Sequence, residues 1–234
     1  MKAERATTMT SPRTFARWEQ RATARVLEAR GAQILERSRQ IVAAGFELLQ
    51  REGLDALTIR AVLKKTGLSR RAFYERFADK DELMLAIFEE TIRRAAQHYG
   101  EKILSLSSPL DRLRLIVTSM VLGSGSSADG GTRRNRRWSV AMVREHLRLA
   151  ESRPDELQAT LSPLIELLAQ QLADGMEAGL VRRCSPERLA MFVYNLVATT
   201  VHTEMLSAKA ATDHEQRAQL AADVWEFCRR AIVA

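Results

Sequence analysis

The twenty residues Thr58–Phe77, TIRAVLKKTGLSRRAFYERF, admit few folds, because they hold two short amphipathic segments with separate start signals and a glycine between them. Thr58 can cap the first helix by accepting a hydrogen bond from a first-turn amide. Ile59, Val62 and Leu63 then recur at helical spacing. Gly67 suits the left-handed backbone that ends a helix, and Leu68 can fold back on the core. Ser69 restarts the chain as the cap of a second helix, whose Phe73 and Phe77 form an inner stripe four residues apart. Arg70, Arg71 and Tyr74 are left facing outward. Between Ala56 and Lys80 stand Arg60, Lys64, Lys65, Arg70, Arg71, Arg76 and Lys80 against Glu75 and Asp79, a local excess suited to neutralising phosphates.

Taken singly, each of these features fits an ordinary helical hairpin with solvated arginines. As an ordered set they are specific. Gly53 closing a helix, then Thr58, Gly67, Leu68-Ser69, Phe73-Tyr74, Phe77, Lys80 and Leu83, resembles the N-terminal signature of the TetR family of bacterial transcriptional repressors. The resemblance spans about fifty residues, from Ile34 to Phe88. It departs from the family at Leu63 and Thr66, where alanine is frequent.

The resemblance implies an all-α protein: an N-terminal helix-turn-helix domain of three helices and a C-terminal helical ligand-binding and dimerisation domain. It also implies a double-stranded DNA operator as partner, with Thr58, Lys65, Ser69, Arg70, Arg71, Phe73, Tyr74 and Lys80 as the candidate DNA-binding residues. Thr58, Tyr74 and Lys80 are expected at the phosphate backbone. Ser69, Arg70 and Arg71 begin the recognition helix, where side chains approach base edges.

Composition agrees with a soluble globular chain long enough to bury a core: 234 residues, 46% hydrophobic and 28% charged. The net charge of +7 suits a polyanionic partner, although it serves solubility equally well. No apolar run reaches the roughly 18 to 20 residues of a membrane span, and the start of the chain lacks a signal-peptide core. A cytoplasmic location without membrane association is expected. Cys184 and Cys228 are far apart, lack metal-ligand spacing and read as free thiols.

Along the chain, residues 1–33 form a basic extension, partly helical. The first dozen residues have a disordered composition. Phe15, Trp18, Ala22, Val26 and Ala29 then mark a helix expected to end at Gly31. The extension either tracks DNA or packs on its own protein, and the residues favour neither. Residues 34–80 make the helix-turn-helix domain, opened by a helix over about 34–51 with Leu35, Val42, Phe46 and Leu49 inward. Residues 81–234 make the regulatory domain, with a helix that starts at the acids of 79–82 and runs to about Ile103, another from Pro109 through Leu115, Val117 and Met120, and further helices over about 134–151, 155–179, 186–206 and 213–233. Acids at 79–82 favour the first of these starts, and Ser185-Pro186 is a clear start signal for a later one. Pro163 sits in a first turn or kinks its helix. Gly123–Gly131 reads as a loop.

If the resemblance holds, helices 109–179 supply a pocket for a largely apolar small-molecule inducer. Met120, Trp138, Met142, His146, Leu168, Leu172 and Met176 are the candidate ligand-binding residues, since methionine and aromatic side chains adapt to apolar ligands. For any one of them, plain core filling is the better reading. His146 is the sharpest of the set, yet a protein-bonded or solvated histidine is commoner than a ligand contact. Arg133, Arg134, Arg136 and Arg137, beside a glycine-rich loop, read first as a solvated charge run. Ala190, Phe192, Val193, Leu196, Val197, Thr200 and Val201, with Leu220, Val224, Phe227 and Ile232, give the last two helices broad apolar faces. Homologous repressors pair these helices in a homodimer, which also supplies two recognition helices for two half-sites.

No GxSxG elbow, P-loop, HExxH, dinucleotide-binding glycine run or zinc spacing occurs in the sequence, so neither an enzyme nor a cofactor or metal is expected. The four histidines at 98, 146, 202 and 214 form no local ligand set. The reading is an inducer-released repressor. The alternative is a ligand-independent dimeric DNA-binding or architectural protein.

Overall fold

The computed structural model describes residues 17–123, 132–206 and 214–234. The first dozen residues, Phe15, the body of the glycine-rich loop and the side chains of Trp18, Val26 and the Arg133–Arg137 cluster lie outside what is described. Among the described residues the architecture is all-α. The helices are α1 (Arg17–Glu52), α2 (Ile59–Thr66), α3 (Arg70–Tyr74), α4 (Lys80–Ile103), α5 (Pro109–Leu122), α6 (Thr132–Ser152), α7 (Pro154–Glu177), α8 (Pro186–Leu206) and α9 (His214–Ile232). A single 3-10 turn, Leu54–Ala56, leads into α2. The chain divides into two compact units, residues 1–40 and 41–234.

Two expectations about α1 change. The helix runs unbroken through Gly31, which keeps a negative φ and where an added Cβ would meet open space. A glycine in a helix interior costs only about 1 kcal/mol, too little to end a long helix by itself. Leu35, expected inward, is exposed, as is Ile34, because burial along α1 starts a turn and a half later at Ile41. The buried stripe is Ile41, Ala44, Gly45, Leu48 and Leu49. A seven-residue step falls only about 20° short of two full turns, so Leu35, Val42 and Leu49 lie on one side of the helix, and Leu35 is exposed because it precedes the packed stretch.

The 41–234 unit holds two apolar clusters. One is built from Ile41, Leu49, Leu57, Val62, Phe73, Phe77, Leu83 and Ile87. The other runs from Phe88 through α5, α7, α8 and α9 to Ile232, with Leu113, Ile116, Leu168 and Leu172 at its centre. Helix α4 passes through both, and α6 borders both: Ala141 and Trp138 join the first cluster, while Met142 packs against each. Pro154 takes the first position of α7, and Pro163 lies inside that helix, which continues past it to Glu177. Arg182 N–H donates to Ile232 O at 2.9 Å, tying the turn after α7 to the end of α9.

Candidate nucleic-acid interface and regulatory cluster

The turn between α2 and α3 is built as its residue types dictate. Thr58 Oγ1 accepts from Ala61 N at 3.1 Å, and Ser69 Oγ accepts from Ala72 N at 3.2 Å. Gly67 sits at φ 69°, and its N–H donates to Leu63 O at 2.9 Å. Thr66 is used locally: its hydroxyl donates to Val62 O at 2.9 Å and accepts from Leu68 N at 3.4 Å. Helix α3 has five residues. So short a helix cannot persist without tertiary support, and Phe73 supplies it, fully buried with its ring 5.7 Å from that of Phe77. Asp79 then caps α4, accepting from Glu82 N at 2.8 Å.

Around this scaffold the basic residues take unequal roles. Thr58, Lys65, Ser69, Arg70, Arg71, Tyr74 and Lys80 are all exposed. Phe73 is enclosed and reaches no partner, so its part is to set the pose of α3 from beneath. Lys65 Nζ lies 2.9 Å from Glu47 Oε2, and Arg71 Nε lies 2.9 Å from Glu75 Oε1. Those hydrogen bonds hold the Glu47 and Glu75 carboxyls below the usual range. Arg70 and Lys80 make no ion pair among the described residues. Arg76 belongs to the interior: its side chain is 5% exposed, it donates to Ala72 O near the end of α3, and its Nε has no partner. The local positive excess on the surface is therefore smaller than the sequence count.

The candidate ligand residues separate. Leu168 and Leu172 are completely buried in the second cluster, and Met120, Met142 and Met176 border it. Trp138 goes elsewhere, its ring centroid 4.3 Å from that of Phe46, which also has Arg94 5.7 Å from its face. His146 is half-buried and joins a group that sequence reasoning missed. Tyr194 Oη is 3.3 Å from His146 Nδ1, the His202 ring lies edge-on with centroids 4.6 Å apart, and Phe88 is 6.2 Å away. Tyr194 and His202 are far from His146 in sequence, and no local pattern pointed to them. Burial and, second, the charge of His202 push His146 down to about 4, and burial lowers His202 too. Burial raises the Tyr194 hydroxyl.

Beside His146 on α6, Glu145 is nearly enclosed and takes two hydrogen bonds from Arg148, at 2.9 and 2.6 Å. Arg148 Nη1 also lies 3.6 Å from Asp81 Oδ2 in the first turn of α4. Charge and packing thus both connect α6 to the helix that follows the candidate reading head.

One pH effect follows from His146. An unfolded imidazole takes up its proton near 6.5, whereas the folded one does so near 4. Between these values the unfolded chain binds more protons, so stability falls as pH drops from about 6.5 toward 4. Chemical denaturation across that window should show the slope, and His146→Gln should flatten it. An identical slope in the variant would assign the effect to other groups.

The profile described as "Bacterial regulatory proteins, tetR family" matches residues 41–87, the segment that carries α2, the turn and α3. Over residues 41–87 the chain is thus similar to the TetR family. An uncharacterized HTH-type transcriptional regulator of Mycobacterium bovis is 40% identical over 60 residues, 26% of this chain and 30% of that protein. The chain therefore spans under a third of that relative's length.

Solved structures extend the likeness of fold to most of the chain. A TetR-family transcriptional regulator from Pectobacterium atrosepticum superposes with a TM-score of 0.68 at 16% identity, covering 87% of this chain and 97% of its own. FadR from Bacillus subtilis, in complex with stearoyl-CoA, gives 0.60 at 16%, covering 81% and 96%. A transcriptional regulator from Saccharomonospora viridis, in complex with choline, gives 0.62 at 17%, covering 85% and 98%. Among the described residues, no helix is long and apolar enough to cross a membrane.

Proposed function

We propose that this chain is a dimeric DNA-binding transcriptional repressor of the TetR family, released from its operator by a small molecule held in the C-terminal domain. The observation that carries the reading is α3, capped by Ser69 and seated on Phe73, with Arg70 and Tyr74 exposed on it and Lys80 exposed just beyond. Arginine suits bidentate contact with guanine, and lysine a phosphate. Since Arg71 is engaged by Glu75, Arg70 is the better base reader. Helix α6 supports the coupling: His146 lies one turn from Met142, which packs on both apolar clusters, and Arg148 reaches Asp81. A ligand that shifts α6 would change the separation of two recognition helices in a dimer. The test is operator selection with purified protein, followed by a screen for ligand-dependent release. Operator binding that no ligand relieves would favour the ligand-independent alternative.

Arg70→Ala should relax preference at particular operator positions, at about 1 to 3 kcal/mol for the lost contact. Lys80→Ala should weaken binding to all sequences alike and lower the log-log salt slope by about one. Unchanged selected motifs for the first, or an unchanged slope for the second, would remove those assignments.

A second copy is the expected occupant of the α8–α9 face, where Phe192 is 61% and Phe227 64% exposed. Large apolar side chains left so open on the last two helices of a regulatory domain favour self-association. Phe192→Asp with Phe227→Asp should give a monomer in sedimentation and lose cooperative operator binding. A dimer that survives both changes would put the interface elsewhere.

A further inference from the structure

We propose that His146, His202 and Tyr194 form a head-group site for a weak organic acid, bound as its anion with its apolar body against the Phe88 side of the regulatory core. The inference rests on reading this domain as ligand-binding, and it names the ligand's chemistry.

The geometry brings three hydrogen-bonding heads together from α6 and α8 beside an aromatic wall from α4. Tyr194 Oη and His146 Nδ1 are 3.3 Å apart, the two imidazoles are 4.6 Å apart by centroid, and Phe88 is edge-on to His146. The imidazoles are half-buried, within reach of a ligand, and Tyr194 is enclosed.

The charges that surround the group leave it one kind of complement. On α6, Glu145 is occupied by Arg148, and Arg148 by Glu145 and Asp81. On α8, Glu204 follows His202 and bonds to neither imidazole. On α4, Glu89 follows Phe88 in sequence and is exposed, and its carboxyl is raised by partial desolvation and by Glu156 of α7. Among the described residues neither histidine has an acidic partner. Two bases stand together, His146 kept neutral by burial and by the charge of His202, and His202 lowered by burial.

An entering carboxylate supplies the missing negative charge. In the neutral pair, with His146 in its Nε2–H tautomer, the Tyr194 hydroxyl donates to Nδ1. When His146 takes a proton from solvent, Nδ1–H donates to the tyrosine oxygen instead, and the Tyr194 hydroxyl is freed to donate to the ligand. The anion then meets Tyr194 O–H, an imidazolium N–H and the neutral His202, while repulsion keeps the second ring uncharged. A metal ion fits less well, since no group of three His, Cys, Asp or Glu side chains converges among the described residues, and the phenol is held in its protonated form.

The test uses the full chain without DNA. Hexanoate, phenylacetate and 4-hydroxybenzoate are each compared with their primary amides by calorimetry in phosphate and in Tris at neutral pH, and histidine Cε1 resonances are followed by NMR. At least one carboxylate should bind about ten-fold or more tightly than its amide, as charge-assisted hydrogen bonds require, with uptake of about one proton per protomer and a charged-histidine shift at residue 146 or 202. Tyr194→Phe should weaken the acid more than the amide. His146→Gln with His202→Gln should abolish proton uptake. Should the double variant not fold, the NMR shift in the parent protein decides.

Equal binding of acid and amide, acid binding without charging either histidine, or no carboxylate binding overturns the proposal. So does zinc alone occupying both imidazoles while the acids do not bind. An acid that binds as described but leaves operator complexes intact refutes the inducer reading and leaves this site standing. Release by a ligand that avoids these residues does the reverse.

Discussion

Phe73→Ala should lower stability by about 3 to 5 kcal/mol, the range for truncating a buried phenylalanine, and should remove operator binding with it. The side chain is fully buried, packs on Phe77 at 5.7 Å and lies T-shaped to Tyr74 at 5.5 Å. Nothing else in α3 is comparable: Arg70, Arg71 and Tyr74 are exposed, and Ala72 buries little area. A five-residue helix closes too few hydrogen bonds to hold its own shape, so its pose depends on that one ring and on the Ser69 cap. Tyr74→Phe is the control. It keeps the ring, removes an exposed hydroxyl, and should change DNA affinity while leaving the denaturation midpoint near the parent's. Phe73→Ala with a parent-like midpoint would show that α3 is held by something other than this core.

Arg148→Ala should be nearly as damaging, although Arg148 is a surface-reaching residue. Its partner Glu145 has a side chain only 6% exposed and takes both its hydrogen bonds from Arg148. Removing the arginine strands a buried carboxylate, at about 3 to 5 kcal/mol for a broken buried pair. The double change Glu145→Gln with Arg148→Met should recover most of that loss, because apolar or neutral replacement of a whole pair is far cheaper than breaking it. Asp81→Ala separates stability from coupling. The Arg148–Asp81 contact at 3.6 Å is half open to solvent, and pairs of that kind contribute about 0 to 1 kcal/mol. Its loss should barely move the denaturation midpoint but should alter how ligand occupancy changes operator affinity. Arg148→Ala as stable as the parent would mean that Glu145 finds another partner or water.

The Arg148–Asp81 contact joins residues far apart in sequence, and contacts of that kind separate what was legible in the chain from what was not. Helix types, the two caps, the left-handed Gly67 and the inward Phe73–Phe77 stripe are local matters. A hydroxyl three residues before an amide or a glycine after a helix acts within one turn, so the residues alone determine it. The helix starts at Asp79, Pro109, Pro154 and Pro186 were readable for the same reason.

Tertiary structure decided which charges face outward and which polar groups meet. Seven bases look alike in the sequence from Ala56 to Lys80, yet folding buries Arg76, ties Lys65 to Glu47 and Arg71 to Glu75, and leaves Arg70 and Lys80 open. Trp138 and His146 share a helix, but packing assigns one ring to Phe46 and the other to Tyr194 and His202. Periodicity states which residues share a helix face. It does not state what that face will meet, because the meeting depends on the relative placement of helices dozens of residues apart, settled by the close packing of all their side chains at once.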